Sequence, residues 1–98
     1  MSKQLITNIK IVLTDKILTD NDVLISEGII LEILPSGKTS ADIVIDGKGN
    51  YLCPGLIDLH IHGTHEYLID NGVGDLERIC EILPRYGVTG FLPTVCPL

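Results

Sequence analysis

Apolar positions in the first fifty residues fall at every second place or in short unbroken runs, the spacing of strands rather than helices. Residues 6–13 form a β-branched stretch with apolar side chains on both faces. Residues 22–25 and 29–34 flank Ser26-Glu27-Gly28, where Gly28 can take the positive φ that a tight hairpin requires. Pro35-Ser36-Gly37 stops the second of these runs. Residues 42–46 read as a further strand, ended by Gly47-Lys48-Gly49-Asn50. Short strands with turn signals between them predict part of a small β-sandwich or open barrel.

After Pro54-Gly55 the pattern changes. Residues 56–62 alternate strictly, so Leu56, Asp58, His60 and His62 share one face and Ile57, Leu59 and Ile61 take the other. A polar loop, Gly63-Thr64-His65-Glu66, and a turn at Asn71-Gly72 follow. Asp75 is placed to cap a helix whose apolar positions Leu76, Ile79, Cys80 and Leu83 fall at i, i+3, i+4 and i+7. Gly87 ends it, and Pro84 should kink the helix or shift its end. Glu77, Arg78, Glu81 and Arg85 make its solvated face, with Glu81 and Arg85 spaced as an i,i+4 pair. Residues 88–92 are a second buried strand. Strand, helix and strand at this spacing predict a βαβ unit with a right-handed crossover.

Two readings fit the pair His60 and His62. They are metal ligands side by side at the end of a strand, or histidines that close a strand and bond to neighbouring loops. Three features favour the metal: an apolar strand leading to the pair, Gly55 and Gly63 at its two ends, and Asp58 two residues before His60 on the same face. Asp58 is placed to accept an imidazole N–H and so orient a ligand. Its other reading is an interior acid bonded to neighbouring backbone. Two imidazoles alone do not complete a zinc site, which takes three or four protein ligands. His65 and Glu66 lie past Gly63 and read as a loop rim or a substrate contact; Cys96 reads as a buried reduced thiol. Asp15, Asp20 and Asp22 read as turn and surface acids.

Composition narrows the class. With 45% hydrophobic and 20% charged residues the 98-residue chain matches an ordinary globular protein. No apolar run approaches the ~20 residues of a membrane span, and Met1-Ser2-Lys3-Gln4 does not open a secretory signal. A net charge of −6 argues against a nucleic-acid or anionic-membrane partner. Cys53, Cys80 and Cys96 form no CxxC pair, which points to reduced thiols and a cytoplasmic location.

The run from Pro54-Gly55-Leu56-Ile57-Asp58-Leu59-His60 through Ile61-His62-Gly63 resembles the first barrel strand of the amidohydrolase superfamily, where PGxIDxHxH carries the first two metal ligands. The hairpin over residues 23–33 resembles part of that family's small β-sandwich. Gly87-Val88-Thr89-Gly90-Phe91-Leu92-Pro93-Thr94 is most similar to the N-acetylglucosamine-6-phosphate deacetylases, although the loop Thr64-His65-Glu66-Tyr67 departs from the glycine-rich segment of that group.

The resemblance implies an α/β architecture with a β-rich beginning. Residues 1–52 would be strands of the small sandwich, and residues 53–98 the first βαβ unit of a (β/α)₈ barrel. A complete barrel needs ~250 residues, so the chain is expected to be the N-terminal portion of such an enzyme and inactive alone. It implies His60 and His62 as ligands of a divalent metal, zinc first with iron or another ion as alternatives. The other ligands and the catalytic Asp are expected beyond Leu98. The implied reaction is deacetylation of N-acetylglucosamine 6-phosphate, with another cyclic-amide hydrolase or deaminase, or an incompetent fragment, as alternatives. A small amino-sugar phosphate and further copies of the chain are the expected partners.

Overall fold

The computed structural model describes residues 2–95, and the chain divides after Pro54 into two compact units. Cys96 lies outside the described residues.

The first unit is all strand: β1 (Lys3–Val12), β2 (Ile17–Leu18), β3 (Asn21–Ser26), β4 (Ile29–Pro35) and β5 (Ile43–Leu52). They form one five-stranded mixed sheet. β5 runs parallel along one edge of β1, from Gln4↔Ile43 to Ile11↔Leu52. The other edge of β1 is shared by two antiparallel neighbours, β3 beside residues 3–6 and β2 beside residues 11–12; β4 then pairs with β3. Among the described residues this is one sheet, not two packed against each other. Ile9, Ile11 and Val23 are buried at its centre, with Ile6, Leu13, Leu18, Ile25 and Leu52 packed against them.

The β3–β4 hairpin turns on two residues, and both Glu27 (φ 52°) and Gly28 (φ 75°) are left-handed. That is the backbone of a type I′ turn, whose twist matches the strands it joins.

Two expectations fail in this unit. The run 47–50 does not end a strand. β5 continues through it as a bulge, with Lys48 and Gly49 at positive φ, while the register beside β1 slips between Thr7 and Ile9. Asp46 makes this possible by accepting the Lys48 N–H (2.8 Å) and the Asn8 side-chain amide (3.1 Å). A Cβ on Gly47 would collide with the Ile9 side chain, so glycine is required there. Nor is Asp22 a surface acid. It is buried, and accepts hydrogen bonds from the Ser36 hydroxyl and the Gly37 N–H, which fastens the exit of β4.

The second unit contains β6 (Leu56–Ile61), a small antiparallel pair β7 (Gly63–Thr64) and β8 (Tyr67–Leu68), a 3₁₀ turn at Ile69–Asn71, helix α1 (Val73–Ile82), a 3₁₀ turn at Leu83–Tyr86 and β9 (Val88–Pro93). β6 and β9 pair in parallel, as the βαβ reading requires. Ile79 and Leu83 are buried; Cys80, placed by the periodicity on the same stripe, is exposed.

Pro84 shifts the helix end as expected. It sits in the first turn of the 3₁₀ segment, a position that tolerates its missing N–H, and Gly87 closes that segment at φ 84°. Because α1 stops at Ile82, Glu81 and Arg85 lose i,i+4 geometry; Glu81 pairs instead with Arg78 at 3.2 Å.

Asp75 is not the cap, since Gly72 holds that position and α1 begins two residues before Asp75. The Asp75 carboxylate reaches back and accepts the Asn71 amide (2.9 Å) and the Leu68 N–H (3.1 Å). It clamps β8 and the 3₁₀ turn to the start of α1.

Candidate metal centre

His60 is the last but one residue of β6, and His62 follows the strand directly. Their rings stand edge to face, with centroids 4.9 Å apart. Alternation along the strand puts the two imidazoles on one side. The backbone around them is fixed from two directions. The Ile61 carbonyl accepts the Thr94 N–H at 2.8 Å, and the His62 carbonyl accepts the Ile69 N–H at 2.8 Å.

The two glycines of the motif have steric causes. A Cβ on Gly55 would overlap the Thr89 side chain of the neighbouring strand, and one on Gly63 would overlap the Tyr67 carbonyl oxygen of β8. Gly63 therefore lets β7 and β8 fold tightly back directly after His62.

Asp58 is half-buried and accepts the backbone N–H of His60 at 3.1 Å, not an imidazole N–H. Two residues apart on one face of a strand, its carboxylate is short enough to reach that amide. The group that does hold an imidazole is Thr94, whose hydroxyl lies 3.1 Å from His60 Nδ1. The sequence reading missed it. A signal was available, because parallel pairing of β6 and β9 brings the ends of the two strands side by side.

His65 takes a left-handed backbone (φ 55°) at the β7–β8 turn. Its Nδ1 lies 3.0 Å from the Thr64 hydroxyl and its Nε2 3.4 Å from the Tyr86 hydroxyl, so both ring nitrogens have protein partners. Glu66, also exposed, completes that turn. Among the described residues no group of three or more His, Cys, Asp or Glu side chains converges.

The donor chemistry of His60 and His62 suits a divalent ion, since imidazole nitrogen is a ligand for zinc and for iron. Their number does not complete a coordination sphere. The thiols of Cys53 and Cys80 are free and exposed.

No family model matches the chain. A dihydroorotase from Carboxydothermus hydrogenoformans is 56% identical over 41 residues, 42% of this chain and 10% of its own length. The solved N-acetylglucosamine-6-phosphate deacetylase from Pasteurella multocida superposes on 97% of this chain and 26% of its own, with a TM-score of 0.79 and 25% identity. An L-hydantoinase (dihydropyrimidinase) from Arthrobacter aurescens covers 63% of this chain and 14% of its own, with a TM-score of 0.54 and 30% identity. The chain belongs to the amidohydrolase superfamily.

Its likeness to these amidohydrolases is partial in extent. The chain spans about a tenth of the curated relative's length and about a quarter of the deacetylase's. Among the described residues, no helix of this chain is long and apolar enough to cross a membrane.

Proposed function

We propose that this chain forms the beginning of a metal-dependent hydrolase that removes the acetyl group from an N-acetylhexosamine 6-phosphate. The observation that carries the reading is the likeness to the deacetylase over nearly the whole chain, both units included. In this reading β1–β5 belong to the small β-rich domain and β6–α1–β9 is the first βαβ unit of a (β/α)₈ barrel, whose site residues stand at the C-terminal ends of its strands. His60 and His62 are at that end of β6.

His60 and His62 would hold the metal, with further ligands and the proton-carrying carboxylate supplied by later strands of the barrel. A bound divalent ion lowers the pKa of coordinated water from 15.7 to ~7 and polarises a carbonyl. What this chain contributes is placement. Parallel pairing with β9 fixes the end of β6, Thr94 holds the His60 ring, and the hairpin after Gly63 pins the His62 backbone. His65 and Glu66 rim the loop beyond the pair, where a substrate contact is available without a role in metal binding. The sugar phosphate needs cationic partners drawn from the rest of the protein, given the −6 charge here.

A second reading, hydrolysis of a cyclic amide, is favoured by one observation: the 56% identity to a dihydroorotase over 41 residues of the chain. Both reactions cleave a carbon–nitrogen bond at a carbonyl and use the same His60–His62 pair. Acetate release from N-acetylglucosamine 6-phosphate by the intact, zinc-loaded protein is the expected result. Equal or better turnover of dihydroorotate overturns the deacetylase reading in favour of the cyclic amide.

A further inference from the structure

We infer that Thr94 is a positioning residue for the candidate metal centre: its hydroxyl accepts the Nδ1 proton of His60 and so leaves Nε2 as the nitrogen free to bind a metal. The proposal rests on the reading of His60 and His62 as ligands. A threonine hydroxyl has one hydrogen and two lone pairs. The Thr94 hydroxyl has two neighbours: the Leu92 carbonyl oxygen at 3.4 Å, which can only accept, and His60 Nδ1 at 3.1 Å, which donates or accepts according to its tautomer. Both contacts are hydrogen bonds at once when the hydroxyl donates to Leu92 and His60 Nδ1 is the donor in its own bond, and this is the arrangement inferred. A neutral imidazole that carries its proton on Nδ1 has its lone pair on Nε2.

Thr94 itself is held in register. It is half-buried at the end of β9, and its backbone N–H is bonded to the Ile61 carbonyl, one residue beyond His60. Backbone and side chain together tie the second strand to the histidine strand at the level of the site. The same residue therefore selects the tautomer of His60 and fixes the direction of its ring. Partners of this kind behind a ligating histidine are typically worth about 10–100-fold in metal affinity.

The test compares the intact protein with Thr94→Val, which keeps the shape and removes the hydroxyl, and with Thr94→Ser, which restores it. Long-range ¹H–¹⁵N spectra of the metal-free protein, recorded above the imidazole titration range, show which ring nitrogen of His60 carries the proton. Zinc affinity is measured by competition titration. The expected result is an Nδ1 proton in the unmodified protein, its loss in Thr94→Val with about 10–100-fold weaker zinc binding, and recovery of both in Thr94→Ser. A proton on Nε2 in the unmodified protein overturns the proposal and can be read even if Thr94→Val fails to fold. Unchanged tautomer and affinity in Thr94→Val, beside weakened zinc binding in His60→Ala, overturns the role of Thr94 alone. Zinc affinity unchanged in both His60→Ala and His62→Ala overturns the ligand reading and this proposal with it.

Discussion

The two units bury their apolar residues in different places, one on its central strands and the other on its helix. The sheet of residues 3–52 has a core of its own: Ile9, Ile11 and Val23 are buried together, and Leu5 and Leu24 are buried as well. In the second unit the strand that carries the histidines is exposed on both faces: Leu56 is 59% accessible, Ile57 68% and Leu59 72%. Its fully buried side chain is Ile79, on the helix. The first sheet is held by side-chain packing along β1 and β3, while its β4 and β5 leave Ile29, Ile30 and Val44 exposed. The histidine strand is held by ties: a parallel ladder, close approaches at Gly55 and Gly63, the Asp75 clamp and the left-handed Gly87. A strand built this way keeps an exact backbone without an enclosing core. It also presents apolar surface of the kind that marks a face made to be covered.

The sharpest way to break this comparison is to remove a buried anchor on each side. Ile79→Ala should cost about 2–5 kcal/mol, as should Ile11→Ala in the first sheet. Hydrogen exchange should show the Ile79 variant losing protection in β6, α1 and β9 while β1, β3 and β5 keep theirs; loss in both units together would contradict separate stabilisation. Gly63→Ala comes next, at about 1–3 kcal/mol, because the added methyl meets the Tyr67 carbonyl and the hairpin behind His62 must shift. Denaturant unfolding of the second unit measures it. Leu59→Ala should be nearly silent, within about 0.5 kcal/mol, since that side chain already faces solvent. A cost of the size expected for Ile79 would show that Leu59 is covered in solution.

The smallest effect is acid dependence. Bonds from the Asn71 amide, and next from the Leu68 N–H, hold the Asp75 carboxyl below its ordinary range. The folded state therefore favours the ionised form. Its contribution is complete above the unfolded value of ~3.9 and is lost as pH falls through the lower folded value. Asp46 behaves likewise in the first unit, through the Lys48 N–H and then Asn8. Asp75→Asn should flatten the acid limb of unfolding for the second unit only, and Asp46→Asn for the first only.

What could be read from the sequence was local. The alternation of 56–62, the Glu27-Gly28 turn, the helix end at Pro84 and Gly87, and the parallel β6–β9 pair follow from residues close together in the chain. What could not be read depends on distant partners. Gly47-Lys48-Gly49-Asn50 looks like a turn unless Asn8 and Asp46 are known to meet across the bulge. Asp22 looks like a turn acid unless Ser36 and Gly37 come back to it. In the site, His60 and His62 were legible as a pair because a strand has period two. The partner of His60 required carrying the β6–β9 pairing through to the strand ends, because Asp58 is near in sequence while Thr94 is near in space.

The central claim is that His60 and His62 bind one divalent ion. X-ray absorption of the zinc-loaded protein tests it most directly. The account predicts at least two imidazole nitrogens in the shell at about 2.0–2.1 Å, one of them lost in each of His60→Ala and His62→Ala. A zinc shell without imidazole scattering, or one unchanged by both substitutions, would contradict it.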